Sequence, residues 1–295
     1  MEPSNQYQIV NILGNQSIRK FGKVYLVQRR TDGKQHVMKR IQLDVTEAHL
    51  IERAKREATF TFQLAGLPRI VEQIQTETEF ALIKDYAPGI PLDEYWLSIP
   101  KKQRIGELIR ILHELEPLFN ALKENGIVHC DIKPSNILIH KINDHIEVQL
   151  IDFGLAIRQN EENRFKLLFP LGFAPPELLL NRLNCVDHTS DLFALGITIW
   201  KLFVGQLPLI HPNPSIFINL QLTYPLPDHS NLPKGLCPIL QKMCYKHQFK
   251  TAPNRMTPNE VDALLIEANC NRYQRLNTVI QDLEQIPQKK SWWSF

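Results

Sequence analysis

The chain has 295 residues, 43% hydrophobic and 22% charged, with a formal net charge of +3. That is enough apolar material for one large core or two smaller ones. Lys and Arg are spread along the chain without a basic block, which gives nucleic-acid binding no support. The opening MEPSNQYQIV lacks the charged start and apolar core of a signal peptide.

The first part of the chain is β-rich. Tyr7–Leu13 and Phe21–Arg29 read as strands, TDGK at 31–34 supplies an Asp-Gly hairpin turn, and Gln35–Leu43 returns as a third strand. DVTEAHLIERAKREATFTFQLAG follows as a helix, with Asp44 and Glu47 suited to cap its start and Gly66 with Pro68 to mark its end. Ile70–Gln75 and Phe80–Tyr86 complete a small sheet. The Pro/Gly stretch YAPGIPL at 86–92 suits a hinge between two lobes, and a cleft between lobes is a natural ligand site.

Beyond residue 100 the pattern turns helical. Ile105, Leu108, Ile109, Leu112, Leu115, Leu118, Phe119 and Leu122 recur at helical spacing, closed by Asn125-Gly126. NILIHK and IEVQLIDF form a hairpin across Asn143-Asp144. Helices are expected at 190–205, 233–245 and 258–268, the last opening on the capping box T-P-N-E. The most apolar stretch, LFALGITIWKLFVG at 192–205, contains Lys201 and is too short to span a bilayer, so it reads as a buried helix. Five cysteines (Cys130, Cys185, Cys237, Cys244 and Cys270) form no CxxC pair and no zinc-type cluster, which fits free thiols in a reducing, cytosolic setting.

One stretch does not fit a simple element. GIVHCDIKPSNILI at 126–139 sets His129, Asp131, Lys133 and Asn136 between Ile127, Val128, Ile137, Leu138 and Ile139. Polar groups fenced in this way describe a loop held rigidly by buried flanks, the arrangement by which a scaffold presents catalytic side chains.

HCDIKPSN at 129–136, Asp152-Phe153-Gly154, Val37-Met38-Lys39 and Pro175-Pro176-Glu177 occur in the order and type of the catalytic-loop, D-F-G, V-A-I-K and A-P-E elements. On these motifs, from about residue 12 to 255, the chain resembles a eukaryotic-like (Hanks-type) Ser/Thr protein kinase, in the style of soluble bacterial kinase domains. The resemblance implies an α+β, bilobal protein-kinase-like fold in one domain, 1–295: a small β-rich N-lobe with one helix (1–86), an α-helical C-lobe (87–268), and a C-terminal helix and tail (269–295). It implies a cytoplasmic, ATP- and Mg²⁺-dependent enzyme that phosphorylates Ser/Thr hydroxyls of protein partners. Neither nucleic acid nor a transmembrane segment enters that expectation.

The implied roles follow position by position. Asp131 would accept or orient the proton of the substrate hydroxyl, Lys133 would neutralise charge on the phosphoryl group in flight, and Asn136 and Asp152 would hold the metal. Lys39 would hold the nucleotide's phosphates, and Glu57 would pair with and position Lys39. Val24, Val37, Leu138 and Ile151 fall where apolar side chains would sandwich an adenine, and Asp85 to Ala87 would offer hinge backbone to the base edge. Gly14 and Gly22 belong to the phosphate-cradling loop. Asp191 would hold the catalytic-loop backbone, and Arg255 would pair with Glu177.

Several positions depart from the family pattern. Arg19 stands where a middle glycine of the phosphate loop would fall; Arg19 and Lys20 either supply charge there or are solvated cations in a strand turn. Cys130 replaces the arginine beside the catalytic Asp (a non-RD arrangement), and residues 153–176 contain no Ser, Thr or Tyr. Activation-segment phosphorylation is therefore not expected to be needed. Pro170 stands where Ser/Thr kinases carry a threonine, and Lys84 fills the position behind the adenine where an apolar side chain is common. The tail SWWSF is expected to fold against the helical lobe. The alternative to an enzyme is a pseudokinase acting as a nucleotide-binding or scaffolding module. A small-molecule phosphotransferase is the third reading.

Overall fold

The computed structural model describes residues 3–13, 23–43, 48–159, 169–249 and 251–287. The expected phosphate loop with Gly14, Arg19, Lys20 and Gly22, the caps Asp44 and Glu47, and the SWWSF tail lie outside the described residues.

Five antiparallel strands form the first lobe: β1 (Tyr7–Ile12), β2 (Lys23–Arg29), β3 (Gln35–Gln42), β4 (Ile70–Gln75) and β5 (Glu79–Asp85), in the spatial order β1-β2-β3-β5-β4. The two-residue side-chain period divides this sheet cleanly. One face buries Tyr7, Val27, Met38, Ile74, Ala81 and Ile83. The other carries Ile41, Phe80 and Leu82 against the helix α1 (Ala48–Glu57), which contributes Leu50, Ala54 and the adjoining Ala58.

Helix α1 stops at Glu57, well short of the expected end at Gly66. Thr59 is the cause: both its amide (2.9 Å) and its hydroxyl (2.8 Å) donate to Arg56 O, closing the last turn. The following aromatic alternation then serves packing, with Phe60 and Phe62 against Phe153 at ring-centroid distances of 6.2 and 5.3 Å. Local backbone competition by a Thr hydroxyl and the need to cover Phe153 thus override the helical spacing.

The second lobe is helical, so the fold class is α+β as the sequence implies. Its longer helices are α2 (Leu92–Leu97), α3 (Arg104–Glu124), α4 (His188–Val204), α5 (Pro214–Thr223), α6 (Leu236–Met243), α7 (Pro258–Asn271) and α8 (Leu276–Glu284). The hairpin β6 (Ile137–Ile142) and β7 (His145–Leu150) turns at Asn143, whose φ of 55° is the left-handed conformation that Asn tolerates. The box on α7 forms as read: Thr257 accepts from Glu260 N and Glu260 returns to Thr257 N. Helix α4 is buried on nearly every side, starts on an Asp187 cap and ends on Gly205 at φ 91°. No helix among the described residues is long and apolar enough to cross a membrane.

Two short pairings position the catalytic stretch. Ile90–Pro91 joins the inter-lobe segment to β6. Ile127–Val128 pairs with Ile157–Arg158, so the segments entering the 129–136 loop and leaving the 152–154 turn are strapped side by side.

Candidate active site

The 129–136 loop is held from behind. Asp191, in the first turn of α4, accepts from His129 N at 2.8 Å and from Cys130 N at 2.9 Å. This clamp holds Cys130 at φ 61°, left-handed and strained for a non-glycine residue. The His129 ring is fully buried, and burial lowers its pKa, so it is neutral. Its Nδ1 accepts from Asp131 N at 3.2 Å and its Nε2 donates to Ile151 O at 3.1 Å. The ring lies 4.5 Å from Phe153, which ties the loop to the Asp152 turn.

The functional side chains emerge from this frame as one hydrogen-bonded set. Lys133 Nζ donates to both carboxylate oxygens of Asp131, at 2.9 and 2.8 Å. Asn136 Nδ2 donates to Asp131 O (2.8 Å) and Oδ2 (2.9 Å), so its amide oxygen faces away from that carboxylate. Burial raises the Asp131 pKa, Lys133 opposes the rise, and the negative charge of Asp152 adds to it.

Asp152 is also left-handed, at φ 65°, and its Oδ1 accepts from Gly154 N. Burial alone would push its pKa up; Lys39, Lys84, Arg53 and Lys133 together bring it below the ordinary carboxylate range. Lys39, on β3, donates to Glu57 Oε2 at 2.6 Å. Both side chains are buried, and Glu57 carries its charge because Lys39 and Lys84 outweigh the cost of burial. The structure therefore brings Lys39, Glu57, Asp131, Lys133, Asn136 and Asp152 into one charge-coupled site.

Val24, Val37, Leu138 and Ile151 are half-buried, whereas Val27, Met38, Ile137 and Ile139 beside them are fully buried, the difference expected of apolar side chains lining a cleft. At the end of β5, Asp85 N donates to Arg69 O (3.0 Å) and its carboxylate accepts from Arg69 Nε (2.7 Å). The Ala87 amide makes no hydrogen bond to the described residues. Pro170 instead uses its carbonyl as a turn acceptor for Phe173 N and Ala174 N.

One expected pairing is corrected. Glu177 does not pair with Arg255, which lies exposed at the end of the 3-10 turn Pro253–Arg255; its partner is Arg272. Arg272 Nη1 and Nη2 reach Glu177 Oε1 and Oε2 at 2.6 and 3.1 Å, with neither side chain exposed. Ser190 Oγ donates to the same Oε1 at 2.7 Å, and the guanidinium sits 4.9 Å over the Phe193 ring. A signal was present in the sequence: Val261, Leu265 and Ala268 form the inward stripe of α7, and Arg272 continues it one turn on. An arginine on a buried stripe requires a buried carboxylate.

Lys84 does not simply line the back of the adenine position. It turns inward and donates to Glu57 Oε1 at 2.5 Å.

The described residues contain no cluster of three or more His, Cys, Asp or Glu able to cage a metal. The oxygen donors Asn136 and Asp152 suit a hard cation that takes its remaining ligands from phosphate and water, the usual manner for Mg²⁺.

Comparison with known proteins places this geometry. A model of the protein kinase domain matches residues 7–262. The chain is 29% identical over 195 residues to a probable serine/threonine-protein kinase, pknA2, of Bifidobacterium longum, covering 64% of this chain and 25% of that protein. It is 27% identical over 222 residues to the serine/threonine-protein kinase pkn2 of Myxococcus xanthus, covering 72% and 26%. Aurora kinase C of Mus musculus is 25% identical over 266 residues, covering 84% of this chain and 91% of that one. The chain thus spans about a quarter of the length of the two bacterial relatives.

Proposed function

Because the chain belongs to the protein kinase domain family, we propose that it transfers the γ-phosphoryl group of ATP to Ser or Thr hydroxyls of proteins. The observation that carries this reading is the single unit made by Asp131, Lys133 and Asn136, charge-coupled to Asp152 and Lys39. A nucleotide-binding scaffold has no physical need for that set, whose strained and buried members cost stability.

In the proposed step the substrate oxygen forms a bond to the γ-phosphorus as the bond to the bridging oxygen of ADP breaks, and the hydroxyl proton passes to Asp131. Lys133, already on that carboxylate, lies beside the charge that develops on the phosphoryl oxygens. Lys39 holds the α- and β-phosphates, and Glu57 keeps it aimed. The half-buried Val24, Val37, Leu138 and Ile151 cover the base, and the Ala87 amide is free to donate to its edge. Asn136 and Asp152 would hold Mg²⁺, which when bound neutralises charge on the β- and γ-phosphates. Catalysis by this route is mainly positioning and electrostatics. The free cysteines support a reducing, cytoplasmic setting. Cys130 and a 153–176 segment without hydroxyls support activity that needs no phosphate there.

Incubation with γ-labelled ATP, Mg²⁺ and generic protein substrates is expected to yield phosphoserine or phosphothreonine, to stop on chelation with EDTA, and to resume when Mg²⁺ is restored. Label found only on a small metabolite would refute protein phosphorylation. Absence of any transfer despite measurable Mg-ATP binding would favour the pseudokinase.

The pH dependence has a definite sign. Asp131 acts in its ionised form, and its pKa is raised, so kcat/KM should climb with pH through an acid limb above the ordinary Asp range. Lys133 opposes that rise. In Lys133→Gln the limb should move to higher pH, whatever the drop in absolute rate. A limb that stays put or moves to lower pH would remove Asp131 from the role of base.

A further inference from the structure

Two lysines share one carboxylate at the heart of the site. Leu50, Ala54 and Glu57 follow one another at helical spacing on the inward stripe of α1, and Glu57 is 1% exposed. Lys39 takes its Oε2 at 2.6 Å and Lys84 takes its Oε1 at 2.5 Å. Strand pairing arranges this. Val37 opposes Lys84 and Lys39 opposes Leu82, so both lysines leave the same face of the sheet, on neighbouring strands two rungs apart.

The phosphoryl-transfer scheme above uses Lys39 and Glu57 and has no need of Lys84, whose place an apolar side chain could fill. Electrostatics distinguishes the two cases. Lys84 is one of four cations, with Lys39, Arg53 and Lys133, that offset the buried charge of Asp152, and one of the two that act on Glu57; without it Glu57 Oε1 loses its lysine partner, on a helix anchored to the sheet mainly by Leu50, Ala54 and Ala58. A buried carboxylate that loses one of its two cations is strongly disfavoured.

We propose that Lys84 is a positioning residue: by holding the second oxygen of Glu57 it keeps α1 docked and Lys39 aimed at the nucleotide, without any phosphate on the 153–176 segment. The clamp is built into β5, so docking does not wait on a modification of the chain. This inference rests on the kinase reading, and its test therefore includes a measurement that needs no turnover.

The comparison is wild type, Lys84→Met and Lys84→Arg in the full chain. Methionine matches the length of the lysine stem and leaves no cavity, so the fold should persist; Lys84→Gln is the substitute if it does not. In Lys84→Met, amide hydrogen exchange across residues 48–57 should accelerate about tenfold or more, whether or not the protein turns over, because a charged hydrogen bond to the helix is lost. KM for ATP should rise about tenfold with a smaller change in kcat, since nucleotide must first restore the competent state. Lys84→Arg should recover both readouts in large part. In a Glu57→Gln background, Lys84→Met should add little, because both act through one carboxylate. Unchanged exchange across 48–57 in Lys84→Met would overturn the proposal, as would full additivity with Glu57→Gln. An inactive wild type with the exchange effect intact would instead sink the enzymatic reading and leave the clamp standing.

Discussion

Asp131→Asn should abolish measurable phosphoryl transfer, with a loss of at least about 10²–10⁴-fold, while leaving the protein folded. The substitution preserves shape and removes only the ability to take a proton. One carboxylate oxygen of Asp131 accepts from both Lys133 and Asn136, and the other from Lys133, so an amide oxygen can keep part of this pattern. The stability side has its own sign. The Asp131 pKa is raised by folding, which means its ionised form is less favourable in the native protein than in the unfolded chain. Such a group contributes no stability at neutral pH, and a neutral replacement should leave the melting temperature equal or higher. Activity lost with stability kept, measured on one preparation by labelled-phosphate incorporation and thermal unfolding, marks a residue retained for chemistry. Transfer within tenfold of wild type would show that the proton goes elsewhere.

Arg272→Ala should do the reverse and cost the fold about 3–5 kcal/mol, the scale for removing one partner of a buried ion pair. Glu177 is left with Ser190 Oγ alone, in a place where neither original side chain was exposed. Arg272 Nε also donates to Tyr245 O at 3.0 Å, so the truncation also removes a hydrogen bond to that carbonyl. Arg272→Lys should recover little, because a single ammonium cannot span both carboxylate oxygens while reaching that carbonyl. Arg255→Ala should change stability by no more than about 0.5 kcal/mol, as for other exposed side chains. Urea unfolding of the three variants decides the matter. A loss below about 1 kcal/mol for Arg272→Ala, or a larger loss for Arg255→Ala, would reverse the assignment.

These two arginines show where reading the chain ends. What lies within a few residues was legible: the turn at Asn143, the Thr257–Glu260 box, the apolar fence around 129–136, and the order of Asp131, Lys133, Asn136 and Asp152. Such features obey rules of neighbouring backbone and side-chain period, which a linear sequence carries in full. The partner of Glu177 is 95 residues away and that of Glu57 includes a lysine 27 residues on, and for these the family resemblance pointed to Arg255 and left Lys84 undecided. The length of α1 belongs with them, because Phe60 and Phe62 leave the helix to cover Phe153 from the other lobe. By itself the sequence determined the strands of the first lobe, most of the long helices of the second, the catalytic loop and the family they belong to. Only the tertiary structure decided which cation meets which buried carboxylate, because that choice depends on distance and desolvation after packing, and neither quantity exists until the chain has folded.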